Sequence, residues 1–203
     1  MNYIVELLSG LITSAISDYG NLGVLVLMAS ESANIPIPSE VILTYAGFLV
    51  SKGSLNFHAV AFAGALGCLL GSQLSYYLGV VLGRPFLLKY GKWLLISTKD
   101  IEMADRFINK YGDLTSFISR LLPVVRTFIS LVVGISKGNF LKFSFYSFIG
   151  SWIWSYLLVF VGMKLGDNWD SIKPWWDKFS GLIILVIILG IVWHIVRVFQ
   201  KKR

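Results

Sequence analysis

The chain has little charge, one cysteine, two histidines and five prolines, and each scarcity excludes something. Only 14% of its 203 residues are charged and 56% are hydrophobic, whereas a soluble domain carries about 25% charged residues. With a mean hydropathy of +0.72, the expected solvent is lipid rather than water. Cys68 alone makes no internal disulfide and no thiolate metal cluster. His58 and His194 are far apart in sequence, so no zinc site is expected. No Ser-His-Asp arrangement stands out, and neither enzymatic activity nor a cofactor is expected. No Lys or Arg precedes the first apolar stretch, and Glu6 interrupts it, so a cleavable leader is not expected either. What charge there is sums to +7. In an apolar chain that excess points to cytoplasmic loops and anionic lipid, not to nucleic acid.

Long apolar runs are plentiful. A hydrocarbon core of about 30 Å needs roughly 20 helical residues. The stretches His58–Leu82, Phe143–Leu165 and Gly181–Phe199 meet that length. In the first, Ala63, Gly67, Gly71, Ser75, Gly79 and Gly83 recur at every fourth position. This small-xxx-small ridge lets helix backbones approach closely in lipid. Two other apolar regions are too short to span. Leu22–Ser30 and Val41–Val50 flank a polar stretch with Pro36 and Pro38, and Leu114–Leu122 and Val124–Ile135 flank Pro123. Arms of roughly 15 Å meeting at proline read as re-entrant hairpins with their tips at Pro36, Pro38 and Pro123. Proline-kinked spanning helices are the alternative. Tyr3–Ser17 and Thr98–Lys110 read as amphipathic helices lying at the interface.

The hairpin-plus-helix unit occurs twice. Ser51-Lys52-Gly53 and Ser136-Lys137-Gly138 lie about 85 residues apart, as do Pro38 and Pro123, and Ser75-Tyr76 is matched by Ser155-Tyr156. A unit that crosses the membrane once puts its second copy in the opposite orientation. Basic residues agree: with the C-terminus in the cytoplasm, 12 of the 18 Lys and Arg fall on that side. The expected architecture is an all-α integral membrane protein, an inverted repeat of re-entrant hairpin plus transmembrane helix. Its parts are an interfacial helix over 1–18, a first repeat over 20–83, an amphipathic cytoplasmic connection over 84–112, an inverted second repeat over 113–166 and a final transmembrane helix over 180–199. Inverted repeats with broken helices are the plan of many secondary transporters.

Four charges belong to the hairpins: Glu31 and Glu40 in the first, Arg120 and Arg126 in the second. Each costs about 2.5–3.5 kcal/mol at bilayer depth on insertion scales, so pairing between the acidic and basic tips is expected. An ion-pair network that only docks the hairpins is one reading. In the other, Arg120 and Arg126 clamp a phosphate through their planar donor forks. Glu31 or Glu40 then takes up a proton, which loosens its arginine partner. Gln73 is expected to bond between helices, Asn34 and Ser39 to line the cavity or cap the arms, and Trp152, Trp154, Trp169, Trp175 and Trp176 to join an interfacial belt.

The motifs Glu31-x4-Pro36-Ile37-Pro38-Ser39-Glu40, Tyr77-x-Gly79-x3-Gly83-Arg84 and Phe117-x2-Arg120-x2-Pro123-x2-Arg126 resemble those of the DedA family of bacterial membrane proteins. Gly134, Phe143 and Gly150-x-Trp152 fit as well. The resemblance implies movement of a phosphate-bearing lipid, undecaprenyl phosphate or phosphatidylethanolamine, between leaflets and linked to the proton motive force. It implies a multi-pass protein of the bacterial plasma membrane whose partners are the lipid substrate, protons and the bilayer, with a homodimer as a candidate assembly. A proton-coupled exchanger of small cations is the competing transport class, which the arginines disfavour by repulsion. A membrane scaffold without transport is the remaining one.

Overall fold

A computed structural model of the chain describes residues 2–35, 37–90, 106, 114–120 and 123–166. Pro36, most of the connection over 84–112 and the final apolar segment over 180–199 lie outside the described residues or extend beyond them. The described residues form seven helices. They are α1 (Asn2–Tyr19), α2 (Asn21–Ser32), α3 (Ser39–Ser51), α4 (Phe57–Tyr90), α5 (Thr115–Arg120), α6 (Pro123–Ile135) and α7 (Phe140–Gly166).

Two of them are long and apolar enough to cross a membrane, over Phe57–Gly83 and Phe140–Gly166, 27 residues each. At 1.5 Å per residue they are about twice the length of α2, α3 and α6, which have 12, 13 and 13 residues. Both second arms begin at proline. Pro38 is the N-cap of α3, with extended backbone, and Pro123 is the first residue of α6. There the missing N–H would have had no helical partner anyway. Both arms also end alike. Ser54 N–H donates to Leu49 O and Gly138 N–H to Val133 O, each at 3.0 Å, around left-handed residues at Gly53 and Lys137. This is the Schellman closure, with the left-handed residue third in the first Ser-Lys-Gly triplet and second in the other.

Packing inverts the habit of water-soluble helices. Ser72, Ser75, Ser147, Ser151 and Ser155 are buried on α4 and α7, while Leu74, Tyr77, Val81, Leu141, Phe145 and Leu157 are exposed. Large apolar side chains outside and small polar ones inside suit a hydrocarbon solvent, where burial of leucine gains nothing and close backbone approach gains dispersion. The contacts are made at glycine. A methyl group at Gly67 would overlap the Leu25 carbonyl and one at Gly71 the Ala29 carbonyl, both on α2. One at Gly79 would overlap the Leu131 carbonyl on α6. Gly83 takes another role. Its φ of 64° and ψ of 174° break α4 at that point, so it ends the ridge as a kink.

Each hairpin divides its arms between the two long helices. α2 lies on α4 and α3 crosses to α7; α5 lies on α7 and α6 crosses to α4. The α3–α7 crossing meets at Gly47 and Gly162, and the α4–α6 crossing at Gly79 and Gly134. α1 joins the first hairpin, burying Ile12 and Ile16 in the cluster that also holds Val24, Met28 and Ile42.

Candidate functional site

The ends of α2, α3, α5 and α6 bring charge into the middle of this packing. Arg126 lies in the first turn of α6, and its guanidinium reaches the other hairpin. Nη2 and Nε donate to Glu31 Oε1 at 2.6 and 3.1 Å, and Nη2 also donates to the Ser39 hydroxyl. The second carboxylate oxygen of Glu31 accepts from Ser32 Oγ at 3.2 Å. Both partners' side chains are only 6% exposed, and the Trp154 ring lies 5.9 Å from Arg126 Cζ. A carboxylate near the C-terminal end of α2 meets the carbonyl end of a helix dipole, an unfavourable place without a cation beside it. Arg126 supplies that cation.

Arg120 is buried differently. It is 2% exposed, and its partners are neutral. Nη1 donates to the Arg126 carbonyl at 3.3 Å, and Nη2 to Ser130 Oγ at 2.7 Å and Ser147 Oγ at 3.2 Å. Its Nε has no partner. Phe143 lies 6.0 Å from Cζ and is stacked on Tyr76, whose hydroxyl donates to Gly138 O at 2.7 Å. The side chain runs over α7 at Gly150, where a methyl group would stand 2.8 Å from Arg120 Cβ. A guanidinium in a dry site with hydroxyl and carbonyl neighbours but no carboxylate among the described residues is a ready receptor for an anion.

The four hairpin charges therefore do not form two pairs. Glu31 and Arg126 meet; Glu40 and Arg120 do not. Ser39 faces Arg126, and the next residue on a helix points about 100° away, which turns Glu40 aside. Glu40 stays half-buried in the first turn of α3. Pro38 is buried beside Ser39, and Pro123 opens the helix that carries Arg126. Ser75 Oγ donates to Ser32 O at 3.1 Å, tying the ridge of α4 to the end of α2, and also contacts Asn34 Oδ1 at 3.3 Å. Gln73 Nε2 bridges to Ser144 Oγ on α7 at 3.2 Å. Trp154 belongs with Arg126 rather than with an interfacial belt, because its position on α7 turns it inward, while Trp152 is 37% exposed.

Most of the hydroxyls were not singled out from the sequence. Ser116, Ser119, Ser130, Ser147, Ser151 and Ser155 are all buried, and Ser130 and Ser147 accept from Arg120. Serine is so common in membrane helices that single positions carry no signal. The spacing of 147, 151 and 155 was the available one, and it is the same spacing as the glycine ridge of α4. Ser151 Oγ, Ser155 Oγ and Trp154 Nε1 lack hydrogen-bond partners, and an unpaired buried group costs about 1–3 kcal/mol.

The family model described as the VTT domain matches residues 37–164, from the approach to α3 almost to the end of α7. Undecaprenyl phosphate transporter A of Bacillus subtilis is 37% identical over 82% of this chain and 83% of its own length. The uncharacterized membrane protein YkoX of the same organism is 37% identical over 82% of this chain and 76% of its own. An alkaline phosphatase-like protein of Lactococcus lactis is 34% identical over 95% of this chain and 92% of its own. No solved structure matches.

Proposed function

The chain belongs to the VTT domain family, the DedA membrane proteins, and on that premise we propose that it carries a lipid with a phosphate headgroup from one leaflet to the other. It is a transporter and not an enzyme. Undecaprenyl phosphate is the first candidate cargo, in keeping with the name of the B. subtilis relative; phosphatidylethanolamine is the second. The observation that carries the reading is the buried Arg120 guanidinium, held by two serine hydroxyls and a carbonyl without a carboxylate, beside Arg126. Such a seat attracts an anion and repels the small cations of the competing exchanger.

In this reading the short arms re-enter the bilayer, the first hairpin opening outward and the second inward, with the C-terminus in the cytoplasm. The half-length arms and their division between α4 and α7 support it, since each hairpin treats its own long helix and the other's in the same way. Phosphate occupies Arg120 and competes with Glu31 for Arg126. A proton on Glu31 removes the competitor, releases Arg126 to the phosphate and so couples lipid movement to a proton gradient. Glu40, near the same tip, is the second carboxylate available for that proton. The isoprenoid or acyl chains stay in hydrocarbon, along the exposed apolar faces of α4 and α7.

Purified protein in liposomes tests this. Leaflet exchange of labelled undecaprenyl phosphate and phosphatidylethanolamine is followed with and without a pH gradient. Exchange of undecaprenyl phosphate that falls at least tenfold in Arg120→Gln is expected. Movement of neither lipid, or full activity in Arg120→Gln, would remove the proposal. Phosphate release, followed in parallel, tests the hydrolytic reading that the Lactococcus protein's name raises; among the described residues no three of His, Cys, Asp and Glu come together.

A further inference from the structure

Ser147, Ser151 and Ser155 lie one turn apart on one face of α7, and they are 0%, 3% and 0% exposed. Only the first is engaged by Arg120, through the 3.2 Å bond from Nη2. Ser151 Oγ and Ser155 Oγ have no partner, and neither does Arg120 Nε, whose side chain crosses α7 at Gly150, next to Ser151 in the chain. Three other buried or part-buried serines satisfy their hydroxyls on a carbonyl of the preceding turn. Ser72 donates to Cys68 O, Ser119 to Ser116 O and Ser51 to Phe48 O. Ser151 and Ser155 forgo even that.

The corresponding ridge of α4 shows what a purely packing face looks like. There Gly67 and Gly71 are closed by the backbone of α2, with no room for a methyl group. On α7, which α3, α4 and α5 all contact, the row carries serine rather than glycine at 147, 151 and 155. Ser155 instead faces Gly64 of α4, where an added Cβ would be 3.0 Å from its oxygen. The row leads from Arg120 towards the end of α7 that meets Ser51, at the foot of the first hairpin.

The geometry points to a polar track in which the Ser151 and Ser155 hydroxyls extend the Arg120 seat along α7 and receive the phosphate oxygens of a lipid headgroup as α4 and α7 part. It rests on the transport reading above and adds to it the path and its residues. Neutral hydroxyls suit a path better than further arginines would. They donate to each phosphate oxygen, yet hold it weakly enough for it to move on, the requirement that any conduction path meets.

The full chain carrying Cys68→Ser, with Ser151→Cys or Ser155→Cys added singly, is reconstituted and treated with a small cationic thiosulfonate reagent. Labelling is expected only in liposomes where exchange proceeds, and undecaprenyl phosphate should protect at least tenfold better than undecaprenol, which has the same chain and no phosphate. Equal protection by the alcohol, or no labelling while exchange proceeds, would overturn the track. The Ser151→Ala/Ser155→Ala double variant should remain monodisperse, melt no lower than the unmutated protein, since it sheds two unpaired buried hydroxyls, and lose at least tenfold in exchange rate. Wild-type exchange rates in that variant would also overturn the track while leaving the transport reading intact. Failure of the unmutated protein to move any phosphate lipid would remove both together.

Discussion

Breaking the Glu31–Arg126 contact from each side measures what joins the two hairpins. Both side chains are 6% exposed, with Nη2 2.6 Å from Oε1. Glu31→Gln preserves shape and leaves the guanidinium on Ser39; Arg126→Gln leaves the carboxylate on Ser32. Removing one partner of a buried pair costs about 3–5 kcal/mol, and a lone charge at membrane depth about 2.5–3.5 kcal/mol. A neutral hydrogen bond between membrane helices averages only about 0.6 kcal/mol. Each single variant should therefore lose about 3 kcal/mol. The double variant, with no charge left to strand, should lose no more than either. Reversible unfolding in mixed detergent micelles, followed by helical circular dichroism for all four proteins, yields the coupling energy. About 3 kcal/mol is expected. A coupling at or below about 0.6 kcal/mol would show that the contact is a neutral hydrogen bond, and the account of a charge held by its partner would fail.

Gly71→Ala forces a methyl group onto the Ala29 carbonyl and should destabilise by more than about 2 kcal/mol, within the range of overpacking; Gly10→Ala, with nothing within 4 Å of its new methyl, should be neutral or stabilising in the same unfolding assay. Lys137 holds a left-handed conformation at φ 51°, so Lys137→Gly should gain up to about 1 kcal/mol; a loss would mean that its side chain contributes more than its backbone strain removes. Tyr76→Phe deletes the bond to Gly138 O and should cost about 1 kcal/mol while keeping the ring on Phe143. On the proposed coupling, Glu31→Gln should make the rate of undecaprenyl phosphate exchange independent of pH; a retained pH slope would place the proton elsewhere.

The helices were legible because the signals behind them are local. Proline set the starts of α3 and α6, and the Ser-Lys-Gly triplets marked where those arms close. The four-residue spacing of small residues pointed to a packing face on α4, but spacing cannot see a dihedral angle, and Gly83 proved to be a break. At the site, the need of buried charges for partners followed from composition. Which charge meets which did not, because it depends on rotation about each helix: one position separates Ser39, which faces Arg126, from Glu40, which does not. The hydroxyls of α7 offered only their four-residue spacing. A serine means nothing until its neighbours show that it has been left without a bond.

The division of each hairpin's arms between the two long helices also dictates an order of assembly. Gly47 of α3 finds its place only against Gly162, in the last turns of α7. At about 5–20 residues per second of synthesis, the first hairpin waits several seconds for that surface to exist. Glu31 waits in the same way, though for less of the chain, until Arg126 has been made. The first half of the chain is thus incomplete until the second is made, and neither half can be lost without leaving the other half's second arm unhoused.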